Sequence, residues 1–300
     1  MNELLEYIKR WAADFERELE TLLAGLEKRV KRLERGLWRE IQENILSLFN
    51  FDGQNLDKTT ANIYASLPRL EALMNRVERQ EIAAELRLFA EELLKVGGLT
   101  AEYYQNTAGA EATAAAIRNS LNLLQASLGI TPDGGLVAGG YLDRLGKTEG
   151  ARAVLREYVV QSIVTGKDLA SFQAGFRQLV MGGAQTDGAL RVWWRQYAYD
   201  SYNQAQEVVN SNMAEELKLN YFIYQGSIIP TSRQFCRKRA GKVFSKKEAL
   251  TWKNDPDLID QKTKATYNPF IERGRYNCRH FLNWISDELA FELRPELKKK

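Results

Sequence analysis

The two cysteines of this 300-residue chain, Cys236 and Cys278, and its single histidine, His280, fall within a stretch of 45 residues. Thiolate sulfur and imidazole nitrogen are ligands that zinc favours, usually four at a time. Three are present, so Asp255, Asp257, Glu272 or a water would have to complete the shell. Geometry adds a condition. Residues two apart share a side only in an extended strand. Cys278 and His280 can therefore chelate one ion if 278–280 is extended, and point apart if Asn277 caps a helix. A Cys236–Cys278 disulfide and plain buried packing with a hydrogen-bonded His280 are the other readings, and the sequence leaves all three open. A cysteine–histidine nucleophile would need an orienting acid and an oxyanion loop. Neither is apparent beside His280, so the expectation is a protein without a catalytic site.

A second candidate is the basic arm Arg233, Arg237, Lys238, Arg239, Lys242, Lys246 and Lys247, interleaved with Phe235 and Phe244. No acid occurs between Leu217 and Ser245. Net charge is +3, but Tyr221 to Lys300 holds 17 basic and 9 acidic residues, whereas Met1 to Asn220 holds 25 and 30. A local positive field attracts polyanions, nucleic acid above all, without sequence preference. A solvated basic face or a subunit contact explains the same residues. A third candidate, Gly140 to Thr148 (GYLDRLGKT), imitates a phosphate-binding loop. That motif needs four residues between its glycines, where this one has five, and no strand precedes it. A linker whose Thr148 caps the next helix is the simpler reading.

The elements that must position these residues are mostly helical. Leu4, Ile8, Trp11, Phe15, Leu19, Leu22, Leu26, Val30, Leu33, Leu37, Ile41, Ile45 and Leu48 step 4-3-4. An eleven-residue repeat of this kind belongs to a straight or slightly right-handed helix rather than a long left-handed coiled coil. Its stripe suits a bundle, or a protruding helix that docks on a partner. A second helical stretch is expected to run to Val96, interrupted near Pro68 and ended by Gly97-Gly98. Thr100 then caps a third helix to Leu128, which Gly129 stops. Thr131 to Gly150, with six glycines, reads as a linker. Helices follow over 148–165, 168–180 and 187–219. Tyr221 to Ile229 and Gly241 to Phe244 read as strands, Ser245 with Glu248 as a capping box, and Phe281 to Leu293 as a closing helix. The fold class expected is mainly α with a small α+β C-terminal domain: a long N-terminal helix and helical bundle, then a compact domain with a short antiparallel sheet. The regions are 1–130, 131–150 and 151–300. No run is apolar enough to cross a membrane, and the N-terminus lacks a secretory signal. A cytoplasmic start follows.

The stretch TSRQFCRKRAGKVF, a capped helix, and then GRYNCRHFLNWI resemble the C-terminal signature of tailed-phage minor head proteins, the phage Mu protein F-like or head morphogenesis family. Thr231, Ser232, Arg233, Cys236, Gly241, Lys242, Val243, Asn277, Cys278, Arg279 and His280 match its pattern. The helix with Ser201, Asn203 and Gln204 is similar to the family's polar helix. The resemblance spans Ala151 to Ile285. Many members have His-Pro where this chain has Arg275-Tyr276, and Cys-Arg-Cys where it has Cys-Arg-His. Losing that first histidine removes a fourth ligand.

The resemblance implies a structural or assembly component of a phage head. Such a protein sits in the virion in multiple copies and associates with the portal or inner capsid. Contact with packaged DNA is a further implication. The alternative is a zinc-dependent nucleic-acid-binding or processing protein centred on Cys236, Cys278 and His280.

Overall fold

The computed structural model describes residues 2–259, 261–275 and 278–299. Tyr276 and Asn277, the second of which carried the helix-capping alternative, lie outside the described residues. The chain is mainly α with a small antiparallel sheet, as expected. In order, it runs α1 (Asn2–Leu48), a hairpin of β1 (Phe51–Asp52) and β2 (Asn55–Leu56), α2 (Thr60–Val77), α3 (Ala83–Ala108) and α4 (Ala110–Leu128). Next come α5 (Tyr141–Gly146), α6 (Glu149–Thr165), α7 (Leu169–Met181) and α8 (Ala189–Glu216). The C-terminal part holds β3 (Tyr221–Gln225), α9 (Gln234–Arg237), β4 (Val243–Ser245), α10 (Lys246–Leu250), α11 (Pro269–Glu272), β5 (Phe281–Ile285) and α12 (Asp287–Leu293).

These elements form two compact units, each discontinuous in the chain rather than following consecutive regions. One comprises Met1–Leu22, Glu92–Ser127 and Tyr199–Lys300, the other Leu23–Glu91 and Leu128–Ala198. In α1 every stripe residue from Ile8 to Leu48 is buried, and only Leu4 is half-exposed. The eleven-residue spacing keeps these side chains on one face of an unsupercoiled helix. The stripe is therefore used within the chain, as in the bundle reading, and apart from Leu4 it offers no apolar surface to a partner.

Two expected helix breaks do not occur. Pro68 lies inside α2. Pro68 and Tyr64 are both exposed, so the carbonyl that loses its amide partner can turn to water. The buried row Asn62, Ser66, Leu70, Leu73, Met74 and Val77 holds the helix in place. A wide π turn at Glu78–Ile82 joins α2 to α3. Gly97 and Gly98 lie inside α3, and Thr100 caps nothing: its hydroxyl donates to the Val96 carbonyl. Gly97 is there for closeness, since a Cβ would overlap the Leu124 Cδ2 and come 3.3 Å from Val209. The break falls instead at Gly109, with φ of +93°.

The unit built from Leu23–Glu91 and Leu128–Ala198 holds an aromatic cluster of Phe49, Tyr158, Phe172 and Phe176. Two buried charges organise it. Glu34 accepts from the Arg191 amide and pairs with the Arg191 guanidinium. Arg152 reaches Glu71, Asn75 and Glu78. Within the 131–150 segment, Tyr141–Gly146 is α5, and Lys147 at its C-terminal end pairs with Asp143 at 2.9 Å, so most of the loop resembling a phosphate site is a helix. Thr148 precedes α6 in a left-handed conformation, and its side chain makes no capping bond.

The other unit carries the sheet, ordered β4-β3-β5 and antiparallel throughout. Phe281–Ile285 is a strand where a helix was expected, and helix begins only after Ser286, which caps α12. All five strand residues are buried. A short run that is apolar on both faces has no periodicity to separate strand from helix. The outer edge of β5 is closed by side chains: Asn210 donates to the Leu282 carbonyl at 2.8 Å and Tyr103 to the Trp284 carbonyl at 3.0 Å. Covering an edge this way removes a template for unwanted strand pairing. β3 stops at Gln225, short of Ile229, with Gly226 at φ +123°.

Candidate metal centre

Three pieces of this unit bring the rare residues together. Cys236 lies on α9, whose first turn follows Arg233. Tyr224 lies on β3, and Gly241 at φ +75° turns the chain back so that Lys242 O accepts from the Tyr224 amide. Cys278 and His280 lie just before β5 in non-helical chain. The turn and the last segment are tied by Arg233, which donates to the Gly274 carbonyl at 2.7 Å.

Cys236, Cys278 and His280 are buried, and their ligand atoms all lie within 4.8 Å of one another, close enough to hold a metal ion. The condition on the two-residue spacing is met. Cys278 Sγ is 3.8 Å from Cys236 Sγ and 3.8 Å from His280 Nδ1. Zinc–sulfur arms of about 2.3 Å at the tetrahedral angle would set two sulfurs about 3.8 Å apart. Both cysteines are free thiols. Gly274 roofs the cluster: its amide donates to Cys278 Sγ at 3.4 Å, and a Cβ there would come 2.5 Å from Cys236 Sγ. His280 Nε2 has no hydrogen-bond partner among the described residues.

Electrostatics separates the two thiols. The hydrogen bond with Cys236 draws Cys278 well below the usual thiol range against the cost of burial, helped by His280 and Arg273. The same bond with Cys278, together with burial, pushes Cys236 up. Burial also pushes the Tyr224 hydroxyl up. Beneath the site, Glu207 on α8 and Arg273 form a buried pair at 3.1 Å. Burial outweighs the arginine and raises Glu207 to about 7.

The acids expected to complete a zinc shell are engaged elsewhere. Asp255 pairs with Arg239, Asp257 with Lys238, and Glu272 with Arg275. The basic arm divides in the same way. Arg239 is buried against the rings of Phe235 and Trp252, 3.7 and 4.7 Å from their centres. Arg237 donates to the carbonyls of Ile229, Pro230 and Ser232. Lys246 lies 5.0 Å over the Trp284 ring. Lys242 and Lys247 stay exposed, with no ion pair among the described residues. Phe235 is fully buried and Phe244 half-buried. Of the polar helix residues, Ser201 and Asn203 are buried and Gln204 is exposed.

Sequence reasoning missed Tyr224, Gly274 and the Glu207–Arg273 pair. Alternation along YFIYQ puts Tyr224 on the face of Phe222, but only the strand partner reveals that His280 lies beside it.

No protein-family model matches the chain, and no curated protein or solved structure is significantly similar to it. The resemblance to the Mu F-like family therefore rests on the motif residues themselves. Among the described residues, no helix is long and apolar enough to cross a membrane.

Proposed function

We propose that this protein is a structural component that assists assembly of a tailed-phage head, and that Cys236, Cys278 and His280 hold a structural zinc ion. One observation carries the reading. Of the described residues behind the family resemblance, Cys236, Cys278 and His280 form one buried cluster rather than an open cleft, and Arg233 ties its two segments together through the Gly274 carbonyl. A closed shell of thiolate and imidazole is the form of zinc sites that stabilise folds. In this reading the protein sits in the virion head in several copies, bound to portal or capsid proteins, and the exposed lysines of the basic arm meet packaged DNA.

Co-sedimentation of the full-length chain with portal rings or capsids is the test of the assembly role. Binding without turnover supports it. DNA cleavage that disappears in Cys236→Ser and His280→Ala would replace it with a zinc-dependent nucleic-acid-processing activity. For the metal, protein purified without chelators should carry about one zinc per chain, lost in Cys278→Ser. A metal-free protein by elemental analysis would refute that part.

A further inference from the structure

Three ligand atoms leave one position of a four-coordinate shell to fill, and the Tyr224 hydroxyl lies beside both sulfurs. Its oxygen is 3.5 Å from Cys236 Sγ and 3.6 Å from Cys278 Sγ. Zinc–sulfur arms of about 2.3 Å and a zinc–oxygen arm of about 2.1 Å, at the tetrahedral angle, would separate oxygen and sulfur by about 3.6 Å. The oxygen is thus spaced from both sulfurs as a ligand is, while it also serves as their hydrogen-bond partner when no metal is bound.

Sheet geometry is what puts it there. Tyr224 pairs with Leu282 across β3 and β5, so His280 is its diagonal neighbour on the same face. The two rings stack, with centroids 5.1 Å apart and planes 28° from parallel. Stacking leaves each ring few orientations. The Trp252 ring, 5.7 Å away at 75°, closes a further side of Tyr224. The buried hydroxyl has no other hydrogen-bond partner than the two sulfurs among the described residues. The carboxylates that could compete are held in the ion pairs of Arg239, Lys238 and Arg275.

We infer that Tyr224 is the fourth metal ligand, giving a closed site of two thiolates, one imidazole and one phenolate oxygen. The inference rests on the zinc reading above and deepens it. On binding, the metal takes the sulfur and oxygen lone pairs, and the protons leave to solvent. The site then needs no water in its shell, which suits its burial. Arg273 and Arg233 supply positive charge beside Cys278 and Cys236.

Cobalt(II) is the probe, titrated into metal-free full-length protein. The wild type should bind one equivalent, with thiolate-to-cobalt charge transfer, the visible bands of a four-coordinate ion, and the ultraviolet difference spectrum of tyrosine ionisation. Tyr224→Phe should lose the tyrosine signal, change the visible bands and bind at least about tenfold more weakly. Circular dichroism and urea unfolding of the metal-free variant establish that it is folded. Unchanged affinity and visible bands in folded Tyr224→Phe overturn the assignment while the zinc reading stands. So does a shift confined to the sulfur charge-transfer band, which marks Tyr224 as a hydrogen-bond donor to the thiolates only. Absence of cobalt and zinc binding by the wild type removes the zinc reading and this assignment with it.

Discussion

Glu207 shows how burial, rather than contact, sets the behaviour of a single charge. Its carboxylate touches Arg273, yet its folded pKa of about 7 stands above the ordinary 4.5 because it is fully buried. A carboxyl raised in the fold binds its proton more tightly there than in the unfolded chain. Its contribution to stability is complete below pH 4.5 and is lost as pH rises through 7. That loss amounts to about 3 kcal/mol for a shift of this size. Glu207→Gln should therefore flatten the fall in unfolding free energy between these limits, relative to wild type, when urea titrations are run across that range. Equal slopes in both proteins would show that Glu207 titrates normally. Nothing in the sequence announces this residue, one of several acids on α8. The cysteines and histidine, by contrast, could be picked out because they are rare, and their two-residue spacing stated the geometry that the structure then satisfies. Tyr224 is one of 13 tyrosines, and only strand pairing singles it out.

Periodic elements were legible in proportion to how one-sided their burial is. The stripe of α1 specified the helix and its buried face almost residue by residue, and the Ser245 capping box is present as read. Glycine was misread in α3 because composition alone cannot tell a helix stop from a close approach. Two neighbouring substitutions separate those meanings. Gly98 has open space around its Cβ position, so Gly98→Ala should stabilise the protein by about 0.5–1 kcal/mol through helix propensity. Gly97→Ala drives a methyl into Leu124 and should cost about 1–3 kcal/mol. Denaturant midpoints of the two variants should move in opposite directions, and a shared direction would contradict this packing of α3 on α4 and α8. The basic arm was legible as charge but not as structure. Because Arg239 lies between two rings and Asp255, its replacement disturbs folding rather than DNA contact. Lys242→Glu with Lys247→Glu is the cleaner pair. Melting should be unchanged, and if these lysines meet phosphates, the slope of log affinity against log salt should fall by about two. An unaltered slope would remove the arm from any DNA interface.

At the scale of the whole chain, α1 is a shared structural member rather than an appendage. Ile8 to Leu22 enter the core of one unit, and Leu26 to Leu48 enter the core of the other. Each large side chain of this kind contributes about 1.5–3 kcal/mol by burial, against a net stability of about 5–15 kcal/mol for a typical domain. Deleting Met1 to Asn50 should therefore abolish cooperative melting, and a soluble truncation with a sharp transition would disprove that dependence. The same reasoning changes how partner contact is to be sought. A deletion that unfolds the chain also prevents incorporation into particles, whatever the partner touches. The apolar stripe is internal, so a partner that docks on α1 would have to bind its outer face, where Lys28, Arg32 and Arg35 are exposed. Reversing those three charges should leave the melting transition in place, since exposed substitutions usually move stability by less than about 0.5 kcal/mol each. Under the head-assembly proposal, if α1 is the docking element, the variant should fold normally yet be depleted from sedimented particles. Normal incorporation would move the contact off this face and leave α1 a purely internal support.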